Sequence, residues 1–304
     1  MPREVSRTDI HQQVTDQIVS LLDQVDLNNY QPPFASLAAK GLPVNPTTKN
    51  HYQGINILNL WFNQQAKQFS SNHWASFKQW KEKGANVKKG EKGTQIIFYK
   101  SLIKTEENSK GETETHKIPM LRLYTVFNAN QVENFEAEAT PADTQIDTVE
   151  RMSLVDEFCK GTGADIRHGG DEAYFSPMED YIQMPETRLF LDSEQSTATE
   201  NYYSTLLHEL THWTGAKHRL ERDLAHNQKE REKYAFEELV AELGAAFLCA
   251  HHGIAQSHPP NHALYIKSWL KALKDDKTFI FKASAQAAKA VDYLDQTVRG
   301  DAQP

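Results

Sequence analysis

Apolar residues recur at four-residue spacing near the start of this 304-residue chain. Ile10, Val14, Ile18 and Leu22, with Val19 and Leu21 beside them, predict a helix over residues 9–24. The pattern breaks at NNYQPPF and again over residues 45–50. Residues 54–65 predict a second helix with Ile55, Leu58 and Phe62 on one side, and residues 74–83 a short third one stopped by Gly84. The period then shortens to that of strands over 93–100 and 121–127, joined through a polar turn at Lys110 and Gly111 into a long hairpin with a charged tip. Residues 136–150 are polar and nearly free of large apolar groups, which marks a linker. A new helix is predicted from near Ser153, then a hairpin of 173–175 and 181–185 closed by 176–180. Helices follow over 200–214 and 234–250, separated by a charged loop at 221–232, and a C-terminal pair over 263–273 and 284–294. The mixture predicts an α+β protein of two domains, 1–138 and 151–304, with the linker at 139–150.

Charge divides the same way. Residues 1–138 carry 16 Lys+Arg and 14 Asp+Glu, a balance of +2; residues 139–304 carry 17 and 27, a balance of −10. The two parts therefore suit different partners. No apolar run approaches the roughly 18 residues of a membrane helix, and the N-terminal stretch lacks the apolar core of a secretory signal. Two cysteines, Cys159 and Cys249, cannot build a disulfide framework, so the expected compartment is the cytoplasm.

The helix over 200–214 carries the strongest chemical signal. Thr197 and Glu200 make a capping box, and Tyr203, Leu206, Leu207, Leu210, Trp213 and Thr214 form its apolar stripe. His208 and His212 fall on the neighbouring face with Ser204 and Thr211, and Glu209 lies between them in an HExxH pattern. Two imidazoles four residues apart can share one metal ion, and the glutamate can serve as general base on a water. The helix over 234–250 brings Glu238 and Glu242, like charges at i, i+4 on a helix that is apolar nearly all round after Glu242. A cation or a histidine N–H between the helices would relieve both the repulsion and the burial. The third ligand has two candidates. His218 completes HExxHxxGxxH, but every methionine precedes the motif, so no downstream Met-turn is possible. The ExxxE spacing of Glu238 and Glu242 resembles that of gluzincin-type proteases. That resemblance implies Glu238 as third ligand and Glu242 as the group that holds a ligand histidine by its far nitrogen. Zinc is the expected ion, with manganese or another divalent metal compatible with such ligands. Residues 181–184 are expected to pair with an extended peptide as an edge strand. Tyr234, Tyr265, His251 and His252 are candidates for an oxyanion stabiliser. His251, His252, His258 and His262 read better as a solvated, Pro-rich turn than as a second metal site.

In the N-terminal half, lysines and aromatics interleave between Trp61 and Lys100, with only Glu82 and Glu91 as acids. Such interleaving suits a single strand, whose phosphates need cations and whose bases need flat faces. The residues expected to carry it are Trp74, Lys78, Lys81, Lys88, Lys89, Lys92 and Tyr99.

Both halves resemble one family. NPTTKNHYQGINILNLWF and WASFKQWKEKGANVKKGEKGTQIIFYK resemble the single-stranded-DNA-binding domain of the ArdC antirestriction family. YYSTLLHELTHWTGAKHRLERDL and YAFEELVAELGAAFLCA resemble its zincin-like metallopeptidase domain. The resemblance implies a gluzincin-like fold for the second domain, with metal positions at His208, His212 and the Glu238 helix. It also implies protection of DNA entering a cell by conjugation against host restriction, with single-stranded DNA and a host protein as partners. A non-catalytic inhibitor with a structural metal is the alternative class.

Overall fold

The computed structural model describes residues 10–25, 32–107, 113–135, 148–224, 231–256 and 265–301. In chain order the first elements are α1 (Ile10–Asp23), α2 (Ala35–Ala38), α3 (Ile55–Ala66), β1 (Trp74–Ser76), α4 (Phe77–Glu82) and β2 (Asn86–Val87). Then come β3 (Thr94–Glu107), β4 (Thr113–Asn128), β5 (Val132–Glu133), α5 (Thr148–Gly161), β6 (Asp165–His168), β7 (Tyr174–Ser176) and β8 (Tyr181–Met184). The chain closes with α6 (Ala198–Trp213), α7 (Arg231–His252), α8 (Ile266–Asp275) and α9 (Phe279–Arg299).

The compact units do not follow the expected division. One comprises residues 1–42, 53–62 and 138–304; the other comprises 43–52 and 63–137. The reason is the first helix. Val14, Ile18 and Leu22 are fully or almost fully buried, and α1 packs on α8, with the Thr15 hydroxyl donating to the Lys277 carbonyl at 3.0 Å. Trp61 on α3 likewise packs against Phe247 on α7, with the rings tilted and their centres 5.9 Å apart. The apolar stripe of α1 announces a buried face but not its partner. The expected linker lies outside the described residues over 139–147, and its last residues, 148–150, already belong to α5.

The smaller unit holds an antiparallel sheet in the order β1-β4-β3, a short β2–β5 ladder and α4. Residues 74–76, expected to be helical, form β1 with Trp74 opposite Asn128. The helix starts only at Phe77 because Ser76 caps it: the Gln79 amide donates to the Ser76 hydroxyl at 3.3 Å, and the Ser76 amide to the Gln79 side chain at 3.0 Å. The β3–β4 hairpin is longer than the two predicted runs, in register from Thr94↔Val126 to Glu107↔Thr113. Its tip, 108–112, lies outside the described residues.

In the larger unit, the apolar stripe of α6 packs as expected. Leu206, Leu207, Leu210 and Trp213 join Ile182, Met184, Leu248 and Leu294 in one core. The expected 173–185 hairpin is present as β7 and β8, but β6 also joins it, giving the order β6-β8-β7. β8 is therefore the central strand, and the expectation that residues 181–184 form a free edge is overturned. Both its ladder faces are used, by parallel β6 and antiparallel β7.

The neighbouring face of α6, with Ser204, His208 and Thr211, is buried against α7. Gly244 permits that contact. A Cβ there would lie 2.5 Å from Thr211 Cγ2 and 2.6 Å from its Oγ1, so only a bare backbone fits. Glycine costs a helix interior roughly 1 kcal/mol relative to alanine, and the packing offsets that cost. Gly244→Ala is expected to lower the thermal midpoint despite its better helix propensity, because overpacking costs roughly 1–3 kcal/mol. Adding Thr211→Ala should restore it; no recovery in the double variant would place the strain elsewhere.

Candidate metal centre

The approach of α6 to α7 sets three side chains face to face. His208, His212 and Glu238 offer ligand atoms that all lie within 4.8 Å of one another. The two Nε2 atoms are 3.2 Å apart. Each carboxylate oxygen of Glu238 addresses one imidazole, Oε2 at 3.6 Å from His208 Nε2 and Oε1 at 3.6 Å from His212 Nε2. Metal–ligand bonds near 2.0–2.1 Å in a tetrahedron separate the ligand atoms by roughly 3.3 Å. The donor set and spacing thus fit a small divalent cation with a further position for water.

Charge points the same way. Glu209, Glu237, Glu238 and Glu242 are each at most 6% exposed. Arg222 brings one full positive charge among them. Burying carboxylates is costly without cations nearby, and a divalent ion would supply positive charge there.

Glu237 is the residue that the sequence analysis passed over. His212 Nδ1 lies 3.1 Å from Glu237 Oε1. Arg222 grips the same carboxylate twice, Nε to Oε2 at 3.0 Å and Nη2 to Oε1 at 2.8 Å. It also donates to the Thr211 carbonyl at 2.6 Å and the Thr214 hydroxyl at 2.8 Å, tying the end of α6 to α7. An ionised carboxylate only accepts, so Nδ1 carries a proton and Nε2 is turned toward Glu238. Glu242, expected to hold a ligand histidine, is fully buried with Oε2 3.8 Å from His208 Nδ1; Gln256 Nε2 also lies 3.4 Å from Glu242 Oε1.

The alternative ligand stands apart. His218 is largely exposed, with Nε2 3.2 Å from Asp180 Oδ2, and is not in the converging group. Its neighbour Arg219 is anchored by the Trp213 carbonyl at 2.6 Å and by Asp180, which directs this turn toward β8 rather than α7. Tyr234, one turn before Glu238, has its ring 5.4 Å from that of Tyr265, and burial, then the Glu238 charge, raise its pKa. His252 sits against the Phe158 ring at 4.6 Å, and burial pushes its pKa down to about 3. Neither His251 nor His252 joins a metal-type group among the described residues; His258 and His262 lie outside them.

Comparison with known proteins identifies the family of the chain. The zincin-like metallopeptidase family matches residues 153–286, and the N-terminal domain of anti-restriction factor ArdC matches residues 8–127. Protein y4eC of Sinorhizobium fredii is 36% identical, over 94% of this chain and 92% of its own length. The antirestriction ArdC protein from the R388 plasmid is 36% identical in its metal-free structure, with a TM-score of 0.74 over 97% of this chain and all of that one. This chain belongs to the ArdC antirestriction family. The Mn(II)-bound structure of the same ArdC is 37% identical over 95% of this chain and 98% of its own, with a TM-score of 0.72. A DNA primase TraC from Escherichia coli is 34% identical over 93% of this chain, which spans only 27% of the primase.

Within the region matched to the ArdC N-terminal domain, the expected DNA residues divide. Lys78, Lys81, Lys88, Lys89 and Lys92 are exposed. Lys88 Nζ reaches the Asn130 carbonyl at 3.0 Å. Trp74 is fully buried, edge-on to Phe69 at 5.8 Å, and cannot stack on a base. The side chain of Tyr99 lies outside the described residues. Among the described residues the exposed rings of this region are instead Phe77, Phe98 and Tyr124. Strand alternation places Phe98 on the face of the buried Ile96, so the pattern does not mark its ring as exposed, just as nothing in it marks Trp74 as core.

In the metal-free protein, burial lowers the His212 pKa, but Glu237, Glu238 and Glu209 outweigh it and raise it to about 9. Burial raises the Glu237 carboxyl, and its bonds to His212 and Arg222 more than reverse this, leaving it lowered. The His212 contribution to stability is present below its unfolded value near 6.5 and is lost as pH rises through about 9. The Glu237 contribution is present above the ordinary carboxylate range near pH 4.3 and lost as pH falls through its lowered value. Metal-free protein is therefore expected to have its highest thermal midpoint between about pH 5 and 6.5. Metal affinity should rise with pH toward 9, because the ion displaces a proton from His212; a pH-independent affinity would contradict this. Glu237→Gln and Arg222→Gln are each expected to weaken metal binding by about 10–100-fold in chelator competition, and unchanged affinity would remove their role.

Proposed function

We propose that this ArdC-family protein is a metallopeptidase that binds single-stranded DNA and protects incoming DNA from restriction. The observation that carries the peptidase reading is the convergence of His208, His212 and Glu238 beside the buried Glu209. Three protein ligands are the catalytic rather than the structural number, and this favours peptidase over inert inhibitor. His208, His212 and Glu238 would hold the ion, with zinc the expected metal; the Mn(II) form of the R388 ArdC makes manganese the second choice. When bound, such an ion polarises a carbonyl and acidifies water.

The chain's own residues do the rest. Glu209 takes the proton of the attacking water and passes it to the leaving amine. Glu237 and Arg222 fix the His212 ring. Tyr234, whose hydroxyl borders Glu238, is the better placed of the oxyanion candidates. An extended peptide would pair with β7, since β8 is central and β7 is an edge strand packed on α6. The lysine-rich unit supplies the DNA-binding surface, and a host protein of the restriction system is the substrate class. No helix among the described residues is long and apolar enough to cross a membrane.

Glu209→Gln is expected to keep its metal and lose about 10²–10⁴-fold in peptide hydrolysis. Glu238→Ala should lose metal and His218→Ala keep it. Plasmid transfer into restricting and non-restricting recipients gives the biological readout. Full protection by Glu209→Gln would show that proteolysis is not the means, and loss of metal in His218→Ala would reverse the ligand assignment.

A further inference from the structure

The sheet of the lysine-rich unit leaves two aromatic rings on its surface, Phe98 at 57% exposure and Tyr124 at 47%. In the β3–β4 ladder Phe98 stands opposite Arg122, and Ile96 opposite Tyr124. Direct partners in an antiparallel ladder share a face. Phe98, Tyr124 and Arg122 are thus on one side, around Ile96, which is almost completely buried. The two rings are 5.8 Å apart and nearly perpendicular, at 83°. One core cluster of this unit gathers Ala75, Trp80, Ala85 and Val132, and neither ring belongs to it.

Adjacent exposed rings mark an interaction surface. The charge of the unit selects the occupant. Between residues 61 and 100 eight lysines face two glutamates, and Arg122 stands within the aromatic face itself. An apolar protein surface has no need of such an excess of cations. A polyanion with flat aromatic groups needs both cations and rings.

We propose that Phe98 and Tyr124 form a nucleobase-stacking platform for single-stranded DNA, with Arg122 beside them as a guanidinium for a base plane or a phosphate. The inference rests on the single-strand reading above and names the surface that carries it. It predicts a preference for single strands, because paired bases in a duplex offer no free face to these rings. The lysines follow the backbone without regard to sequence, while the rings report whether bases are present.

The test uses the full chain and two labelled probes of equal length, oligo(dT) and an abasic strand, in anisotropy titrations over a salt series. The wild type should bind oligo(dT) more tightly than the abasic strand. Phe98→Ala/Tyr124→Ala should lose about tenfold or more in oligo(dT) affinity, with unchanged abasic affinity and salt slope. Leu123→Ala, whose side chain points to the opposite face beside Ile97, should change nothing. The conservative pair Phe98→Tyr/Tyr124→Phe should retain binding, which separates ring loss from a folding defect. Oligo(dT) binding at wild-type strength in the alanine pair, or equal wild-type affinity for both probes, overturns the platform while leaving single-strand binding intact. Failure of the wild type to bind either probe overturns the underlying reading as well.

Discussion

Helices α6 and α7 meet at Gly244, where the α7 backbone lies directly against the Thr211 side chain. That contact sets the distance between the face of α6 bearing His208 and His212 and the turn of α7 bearing Glu237, Glu238 and Glu242. A side chain at 244 would wedge the helices apart, and the 3.6 Å approaches of Glu238 to the two imidazoles would open. The remainder of the unit holds the pair in place. The apolar stripe of α6 joins the core with β8, α7 and α9, and Arg222 clamps the end of α6 onto Glu237.

The electrostatics follow from burial. Four carboxylates are withdrawn from water, and Glu237, Glu238 and Glu242 each find compensation in a different form. Glu237 has a guanidinium and an imidazole. Glu238 faces both histidines. Glu242 lies behind His208 with Gln256 as neighbour. What remains is an excess of negative charge around two inward-turned imidazole nitrogens, the condition under which a divalent ion binds and is held in one geometry.

Much of this was legible in the chain because it is local. The HExxH spacing, the Thr197–Glu200 capping box and the all-round apolar course of α7 are periodic patterns within one helix, and each appears as expected. What depends on partners was not legible. Glu237 and Glu238 are adjacent glutamates with nothing to separate their roles until α6 and the loop of Arg222 are in place. The stripe of α1 is plain, yet its covering by α8 rather than by the N-terminal strands redraws the division of the chain. Trp74 was misjudged because an aromatic beside lysines looks the same whether its ring is core or surface; pairing of β1 with Asn128 settles it as core. β6 carries only Asp165–His168, too short and polar for its pattern to announce it, and without it β8 looked like an edge.

Everything proposed for the peptidase site requires one ion between α6 and α7. Anomalous diffraction at the absorption edge of the bound metal, from crystals grown with one equivalent of zinc or manganese, locates that ion directly. It should lie on His208 Nε2, His212 Nε2 and the Glu238 carboxylate, with Glu237 on His212 Nδ1. A peak coordinated by His218, or no ordered peak between the two helices, would contradict it.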